Sequence, residues 1–326
     1  MRAVIAEKHG GPDVLKVIER DAPEPGPGEV QVDVVAAGVN FADIYRRKGQ
    51  PPYAGDVPFV PGSEGAGIVA AAGPGVEQPR VGTRVAWSGV RGSYAEQVIV
   101  PAGRAIRVPD DVDLEVAAAV MLQGMTAHYL CHDAYPVDPG DPVVVHAAAG
   151  GVGLLLTQMA AMRGGVVIAT TSTPEKADLA REAGARHLAD YETFGDVTRD
   201  VTGGAGAAAV YDGIGQATFD ASLAALRPRG YLVLYGAASG PVPPLDPQRL
   251  AAGGSLFLTR PMLGSYTATP AEETRRADDL FRWIGEGTLI VRISGRYPLE
   301  QAARAQEDLE ARRTTGKLIL LTDTAD

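Results

Sequence analysis

Gly150, Gly151 and Gly153 follow the apolar run Pro142-Val143-Val144-Val145-His146-Ala147-Ala148-Ala149 and precede Leu154-Leu155-Leu156-Thr157-Gln158-Met159. A strand therefore feeds a turn of small residues that opens a helix. Small residues there allow a tight turn, let a phosphate approach the bare backbone, and let the helix pack closely on its strand, with the anion at the positive helix end. The chemistry predicted for Gly150, Gly151, Val152 and Gly153 is binding of a dinucleotide pyrophosphate.

A second group of residues speaks to which dinucleotide. An NAD site carries an Asp or Glu about 20 residues past the glycines, bonded to the ribose hydroxyls. Here the next strand ends Thr170-Thr171-Ser172-Thr173, with no carboxylate. Thr173 and Pro174 read as N-cap and first helical residue, which puts Lys176 in the first turn, where a cation opposes the helix dipole by about 0.3–1 kcal/mol. An opposed charge of this kind suggests a compensating anion, so the expected cofactor is NADPH rather than NADH. Glu175 is the dissenting neighbour and is expected to face solvent.

The elements that must position these residues follow from the apolar pattern. Val166–Thr171, Ala207–Asp212, Tyr231–Gly236 and Ser255–Thr259 are further short apolar strands, and helical stretches such as 174–183 alternate with them. Right-handed crossovers and a doubly wound parallel sheet, an α/β Rossmann domain, are predicted over 123–262. Residues 1–122 are rich in Gly, Pro and Val, with alternating segments such as Glu29–Val35, and predict a β-rich, barrel-like domain. The chain returns over 263–326 with a helix around Leu280, Phe281 and Ile284, a strand at Ile290–Ile293, a helix near Leu299–Ala311 and a closing strand Lys317–Leu321. This tail is expected to complete the first domain.

Composition excludes several classes. The 326 residues are 45% hydrophobic, enough for two buried cores. No apolar run reaches the ~20 residues of a membrane span, and no export signal is visible, so a cytoplasmic protein without a membrane partner is expected. Forty acidic residues against thirty basic ones give a net charge of −10, which argues against a nucleic-acid partner. The single cysteine, Cys131, excludes an intrachain disulfide and a cysteine zinc cage, and reads as a buried, inert thiol. His9, His128, His132, His146 and His187 show no ligand spacing and read as surface or satisfied core residues.

Several motifs spaced along the whole chain carry a more specific reading: His9-Gly10-Gly11-Pro12-Asp13-Val14-Leu15, Gly38-Val39-Asn40-Phe41-Ala42-Asp43, Pro61-Gly62-Ser63-Glu64-Gly65-Ala66-Gly67, the turn at 146–153 and Thr259-Arg260-Pro261. Together they resemble the zinc-independent NADPH:quinone oxidoreductases of the medium-chain dehydrogenase/reductase superfamily, the group that includes zeta-crystallin. The resemblance implies a GroES-like first domain and a homodimer paired through the edge strand Ser255–Thr259. It implies no metal, since zinc-dependent cousins carry a cysteine where Asn40 stands and a histidine where Ser63 stands. Without a Lewis acid to polarise a simple carbonyl, the expected acceptor is already electron-poor, and a quinone fits.

Residue by residue, the resemblance places Asn40, Phe41, Asp43, Tyr45 and Tyr53 at a cleft near the nicotinamide, faced by Thr126 and Tyr129. Asn40 is expected to hydrogen-bond cofactor or substrate, and Asp43 either to do likewise or to orient neighbouring backbone. Tyr45 and Tyr53 either donate hydrogen bonds, line an aromatic slot or simply pack. Arg260 is open between anchoring a phosphate or substrate oxygen and a structural ion pair. Ser172, Lys176 and Tyr191 match the family's grip on the adenosine 2′-phosphate. Gln216, Ala237, Ala238, Ser239, Leu263, Gly264 and Ser265 fall in cofactor-lining loops. Two alternatives remain: an NADPH-dependent reductase of α,β-unsaturated carbonyls on the same fold, and a non-catalytic RNA-binding or crystallin-like role.

Overall fold

A computed structural model describes residues 1–323; the last three positions of the expected return segment lie outside the described residues. The chain forms two compact units, one of Met1–Met125 together with the chain from Thr267 onward, the other of Thr126–Tyr266.

In the first unit, strands β1 (Arg2–Ala6) and β2 (Leu15–Glu19) form an antiparallel pair. The main sheet is built on β3 (Glu29–Val39), whose alternating Val30, Val32 and Val34 are fully buried, as a period-2 pattern requires. Helix α1 (Phe41–Arg47) follows it directly, then β4 (Glu64–Ala72), β5 (Arg84–Ser88), β6 (Gln97–Pro101) and β7 (Ile106–Arg107). Helix α2 (Leu114–Tyr129) leads out of the unit.

The second unit alternates strands and helices: β8 (Pro142–Val145), α3 (Gly151–Met162), β9 (Val166–Thr170), α4 (Pro174–Glu182), β10 (His187–Ala189), α5 (Phe194–Val201), β11 (Ala207–Asp212), α6 (Phe219–Ala224), β12 (Leu226–Leu234), α7 (Gln248–Ala252), β13 (Phe257–Thr259) and α8 (Leu263–Tyr266). All neighbours are parallel, in the order β10-β9-β8-β11-β12-β13. Counted from β8 this is the doubly wound order, whose reversal between β8 and β11 opens a crevice at the strands' carboxyl ends. Strand β11 is buried along its whole length, and its three alanines admit helices on both faces. Its core joins Val144, Ile168, Val210 and Leu232 to Phe194, Phe219 and Leu223 of the covering helices.

The returning chain adds α9 (Pro270–Gly285), β14 (Ile293–Pro298), α10 (Ala302–Glu310) and β15 (Lys317–Leu321) to the first unit. The sheet order is β14-β15-β3-β4-β5-β7, with β6 also on β3. Here the structure corrects the strand expected at Ile290–Ile293. Pairing with β15 begins only at Ile293, and Ile290 is 62% exposed, so its apolar side chain was a misleading strand signal. Strand β13 likewise begins two residues later than expected, because Ser255 holds a left-handed φ of 61°. Among the described residues no helix is long and apolar enough to cross a membrane.

Candidate functional site

The glycine turn has the geometry its composition predicts. Gly150 caps α3 in an extended conformation, and its N–H donates to the Ala147 carbonyl at 2.8 Å. A β-carbon on Gly153 would lie 2.2 Å from that same carbonyl oxygen, a backbone atom that cannot swing away. The first-turn N–H groups at Gly151, Val152 and Gly153 have no partner within the helix and suit an anion.

At the end of β9, the Thr173 hydroxyl accepts the Lys176 N–H at 3.3 Å as N-cap of α4, and Lys176 Nζ donates to Ser172 Oγ at 3.4 Å. Ser172 and Lys176 are thus brought together on an exposed rim, with no carboxylate in the Thr170–Thr173 run. The ring of Tyr191 lies 5.9 Å from that of His146, beside the same strand ends.

Beneath the crevice runs a buried polar chain that the sequence did not reveal. His146 bonds Thr170 Oγ1 and Ser222 Oγ, each at 2.9 Å, and Ser222 donates to Asp212 Oδ2 at 2.9 Å. Burial pushes the imidazole pKa down to about 4, so His146 is neutral. The other oxygen of Asp212 accepts the N–H groups of Ile214 and Gly215 at 2.8 and 2.9 Å, which fixes the loop carrying Gln216. That loop is laced to Ala237–Gly240: Ser239 Oγ donates to the Ile214 carbonyl at 2.8 Å, and Ala238 N–H donates to the Gly213 carbonyl at 3.2 Å. Gln216, Ala237, Ala238 and Ser239 are therefore together, although the Ser239 hydroxyl is occupied within the loops. Leu263, Gly264 and Ser265 form α8, whose Tyr266 stacks on Tyr129 with centroids 4.2 Å apart. Thr126, one turn earlier on α2, is buried. Arg260 is exposed just after β13.

The first unit gathers Asn40, Asp43, Phe41, Tyr45 and Tyr53. Asn40 follows β3 directly and caps α1, and Asp43 completes a capping box by accepting the Asn40 N–H at 3.0 Å. Asp43 also accepts from Tyr94 at 3.2 Å and lies 3.5 Å from the Ser63 hydroxyl. Burial raises its pKa to about 7, against the pull of the Asn40 N–H and of nearby Lys317. Its geometry matches the backbone-orienting alternative. Phe41 and Tyr45 share a helix face with ring centroids 6.1 Å apart, and Tyr53 continues the row at 5.4 Å; all three are partly exposed.

Asn40 is also held by protein groups that the sequence did not point to. Its Nδ2 donates to Glu64 Oε1 at 2.6 Å, and its Oδ1 accepts from Lys317 Nζ at 2.8 Å and from Gln123 Nε2 at 3.3 Å. Lys317 also donates to Glu64, and Glu64 Oε2 accepts the Leu122 N–H of α2 at 2.6 Å. Both ionic groups are essentially inaccessible, at 2% and 0% exposed. Gly38 makes room for them: a β-carbon there would fall 2.2 Å from Glu64 Oε1. Neither Glu64, Lys317 nor Gln123 was expected at the site. An amide, a hydroxyl and a carboxylate already paired with an ammonium make a poor donor set for zinc, which favours thiolate, imidazole and free carboxylate. Cys131 is buried, its thiol pushed up to about 12 by desolvation.

A nucleotide-binding doubly wound unit joined in one chain to this mostly antiparallel β unit defines an oxidoreductase of the medium-chain type. Residues 26–110 match the alcohol dehydrogenase GroES-like domain, and residues 151–282 match the zinc-binding dehydrogenase family. The chain is 44% identical to a quinone oxidoreductase of Pseudomonas aeruginosa, over 96% of this chain and 97% of that one. It is 42% identical to a 2-haloacrylate reductase of a Burkholderia species, over 98% of each. A mycobacterial protein solved in complex with NADPH superposes with a TM-score of 0.95 at 51% identity, covering 98% of this chain and 99% of that one. The chain belongs to the quinone oxidoreductase family of the medium-chain dehydrogenase/reductase superfamily.

Proposed function

We propose that this chain is an NADPH-dependent quinone reductase that works without a metal. The observation that carries the reading is the Lys317 ammonium seated between Asn40 and Glu64. The polar cluster after β3 is closed by the chain's own cation, so no Lewis acid is offered to a simple carbonyl there, and the acceptor must itself take up the charge that reduction creates. A para-quinone does so by becoming aromatic. The similarity to the quinone oxidoreductase of Pseudomonas aeruginosa and to the NADPH-bound mycobacterial structure supports the same assignment.

Gly150, Gly151, Val152 and Gly153 hold the pyrophosphate, and Ser172, Lys176 and Tyr191 the 2′-phosphate, a fit supported by the Gly153 cradle and the carboxylate-free rim. Bound NADPH supplies the hydride. Gln216, Ala237, Ala238, Ser239, Leu263, Gly264, Ser265, Thr126 and Tyr129 line the cofactor, with Phe41 and Asp43 on the nicotinamide side; Arg260 reaches a phosphate or substrate oxygen. Tyr45 and Tyr53 hold the acceptor ring by face contact and hydroxyl hydrogen bonds, with Asn40 behind them. The working form is a homodimer paired through β13, in the cytoplasm.

A second reading, reduction of α,β-unsaturated carbonyls, is favoured by the 42% identity to the 2-haloacrylate reductase and by the presence of Tyr45 and Tyr53, whose side chains carry a protic hydroxyl. Following NADPH absorbance at 340 nm after adding 1,4-benzoquinone, a 2-alkenal or neither separates the two. Rapid oxidation with the quinone alone is expected; turnover confined to the alkenal overturns the quinone assignment.

A further inference from the structure

The Asn40 side chain is held in one of its two amide orientations. Oδ1 accepts from Lys317 and Gln123, which occupies both lone pairs, and one Nδ2 hydrogen goes to Glu64. Turning the amide over would set its NH2 against the ammonium and its carbonyl against the carboxylate, exchanging two attractions for two repulsions. The second Nδ2 hydrogen meets no acceptor among the described residues. Gln123 is the counterpart. Its Nε2 is directed at Asn40, while its Oε1 is buried with no donor among the described residues, although the residue as a whole is only half-buried. The two side chains bonded to each other thus leave one acceptor and one donor hydrogen unsatisfied, which a ligand group carrying both functions would fill.

We propose that Lys317 and Glu64 are positioning residues that lock the Asn40 amide, so that its outer N–H and the Gln123 carbonyl form a donor–acceptor pair recognising the hydroxyl of the reduced quinone. This rests on the quinone reading above. A quinone oxygen only accepts, so it takes the Asn40 hydrogen and leaves Gln123 unpaired. Reduction combines quinone, one hydride from NADPH and one proton from water-borne acid to give hydroquinone and NADP+, and both carbonyls become hydroxyls. The new hydroxyl accepts from Asn40 and donates to Gln123 at once. The pair therefore binds the oxygen more tightly as it gains hydrogen, and the share of that preference already felt in the transition state, where the hydroxyl is forming, lowers the barrier.

The test uses the full-length enzyme. NADPH binding by fluorescence and turnover of 1,4-benzoquinone by the wild type come first; bound NADPH without quinone turnover would sink the quinone reading itself. In Gln123→Leu the inhibition constant of hydroquinone as product should rise about five- to tenfold and kcat fall comparably, as expected for one lost hydrogen bond, with quinone KM and NADPH affinity within about twofold of wild type. An unchanged hydroquinone constant, or a loss confined to NADPH affinity, overturns the proposal. The paired variant Glu64→Gln with Lys317→Met removes the ion pair without stranding a buried charge, so its melting temperature should match or exceed that of wild type. Its kcat should nonetheless fall about tenfold. Full activity in that variant, or a loss of activity that only parallels a loss of stability, refutes the positioning role.

Discussion

Lys176 Nζ donates to Ser172 Oγ across 3.4 Å, and the Lys176 N–H is held by the Thr173 hydroxyl at the opening of α4. Backbone cap and side-chain contact together place an ammonium and a hydroxyl on one rim at the end of β9, against the helix dipole. A phosphate at that rim would satisfy both groups, and the positive helix end would assist.

Replacing Lys176 with alanine is accordingly expected to raise the KM for NADPH by about ten- to a hundredfold, the equivalent of the ~1.5–3 kcal/mol of a charge-assisted hydrogen bond, and to leave that for NADH nearly unchanged. Steady-state kinetics with both cofactors measure it. Equal weakening of the two would make Lys176 a structural residue and remove the basis for NADPH preference.

Asp43 makes stability depend on pH. Its folded pKa is raised to about 7 from 3.8, chiefly by burial, so the folded state holds a proton that the unfolded chain releases across this interval. The stabilising contribution is complete below about pH 4 and is lost as pH rises through about 7. Lys317, Glu64 and Tyr94 are the ionisable groups that act on it, and Asp43→Asn leaves them in place. The melting temperature of Asp43→Asn minus that of wild type should therefore grow from about pH 5.5 up to about pH 7 and level off above it. A difference that stays constant across that range would show that Asp43 remains ionised throughout.

Strand β13 ends the parallel sheet, and its Phe257 is 48% exposed while stacking on Tyr231 at 4.4 Å. An apolar edge with unpaired backbone groups invites pairing with a second copy. Light scattering should give about twice the 33.9 kDa chain mass, and Phe257→Lys should lower it toward one chain. A wild-type protein that scatters as a single chain at micromolar concentration would rule out pairing through this edge.

What the sequence could disclose divides along the distance over which residues act. The doubly wound unit was legible because each signal is local: Val143–Val145 runs into Gly150–Gly153, and Thr173-Pro174 announces the next helix within a few residues. Strand ends were less so, since Ile290 has the composition of a strand yet is 62% exposed and lies before the β14–β15 pairing, which begins at Ile293. The Asn40 cluster was opaque for a different reason. Lys317 lies 277 residues from Asn40 and 253 from Glu64, and a lysine opening an apolar strand looks like an ordinary solvent-facing end until the β15–β3 register brings it inside. His146 read correctly as satisfied core, yet its partners Thr170, Ser222 and Asp212 come from three other elements and carry no shared sequence mark.

The role of Tyr45 distinguishes the two candidate chemistries. It shares a row with Phe41 and Tyr53, each partly exposed, and its hydroxyl is the polar tip of an otherwise aromatic surface. A quinone needs that surface mainly for orientation, because the electrons it gains are delocalised into an aromatic ring and its oxygens are protonated from solvent without a dedicated acid. Tyr45→Phe keeps the ring and deletes only the hydroxyl, so kcat/KM for 1,4-benzoquinone should fall modestly, by about tenfold or less. An alkenal concentrates the charge on one oxygen and requires a proton at carbon, so loss of a positioned donor would cost about 10²–10⁴-fold. Measuring kcat/KM for a quinone and a 2-alkenal in wild type and Tyr45→Phe settles which holds. A wild-type preference for the quinone with a small mutant effect is expected, whereas an alkenal preference that collapses in the mutant would transfer the assignment to alkene reduction and make Tyr45 its general acid.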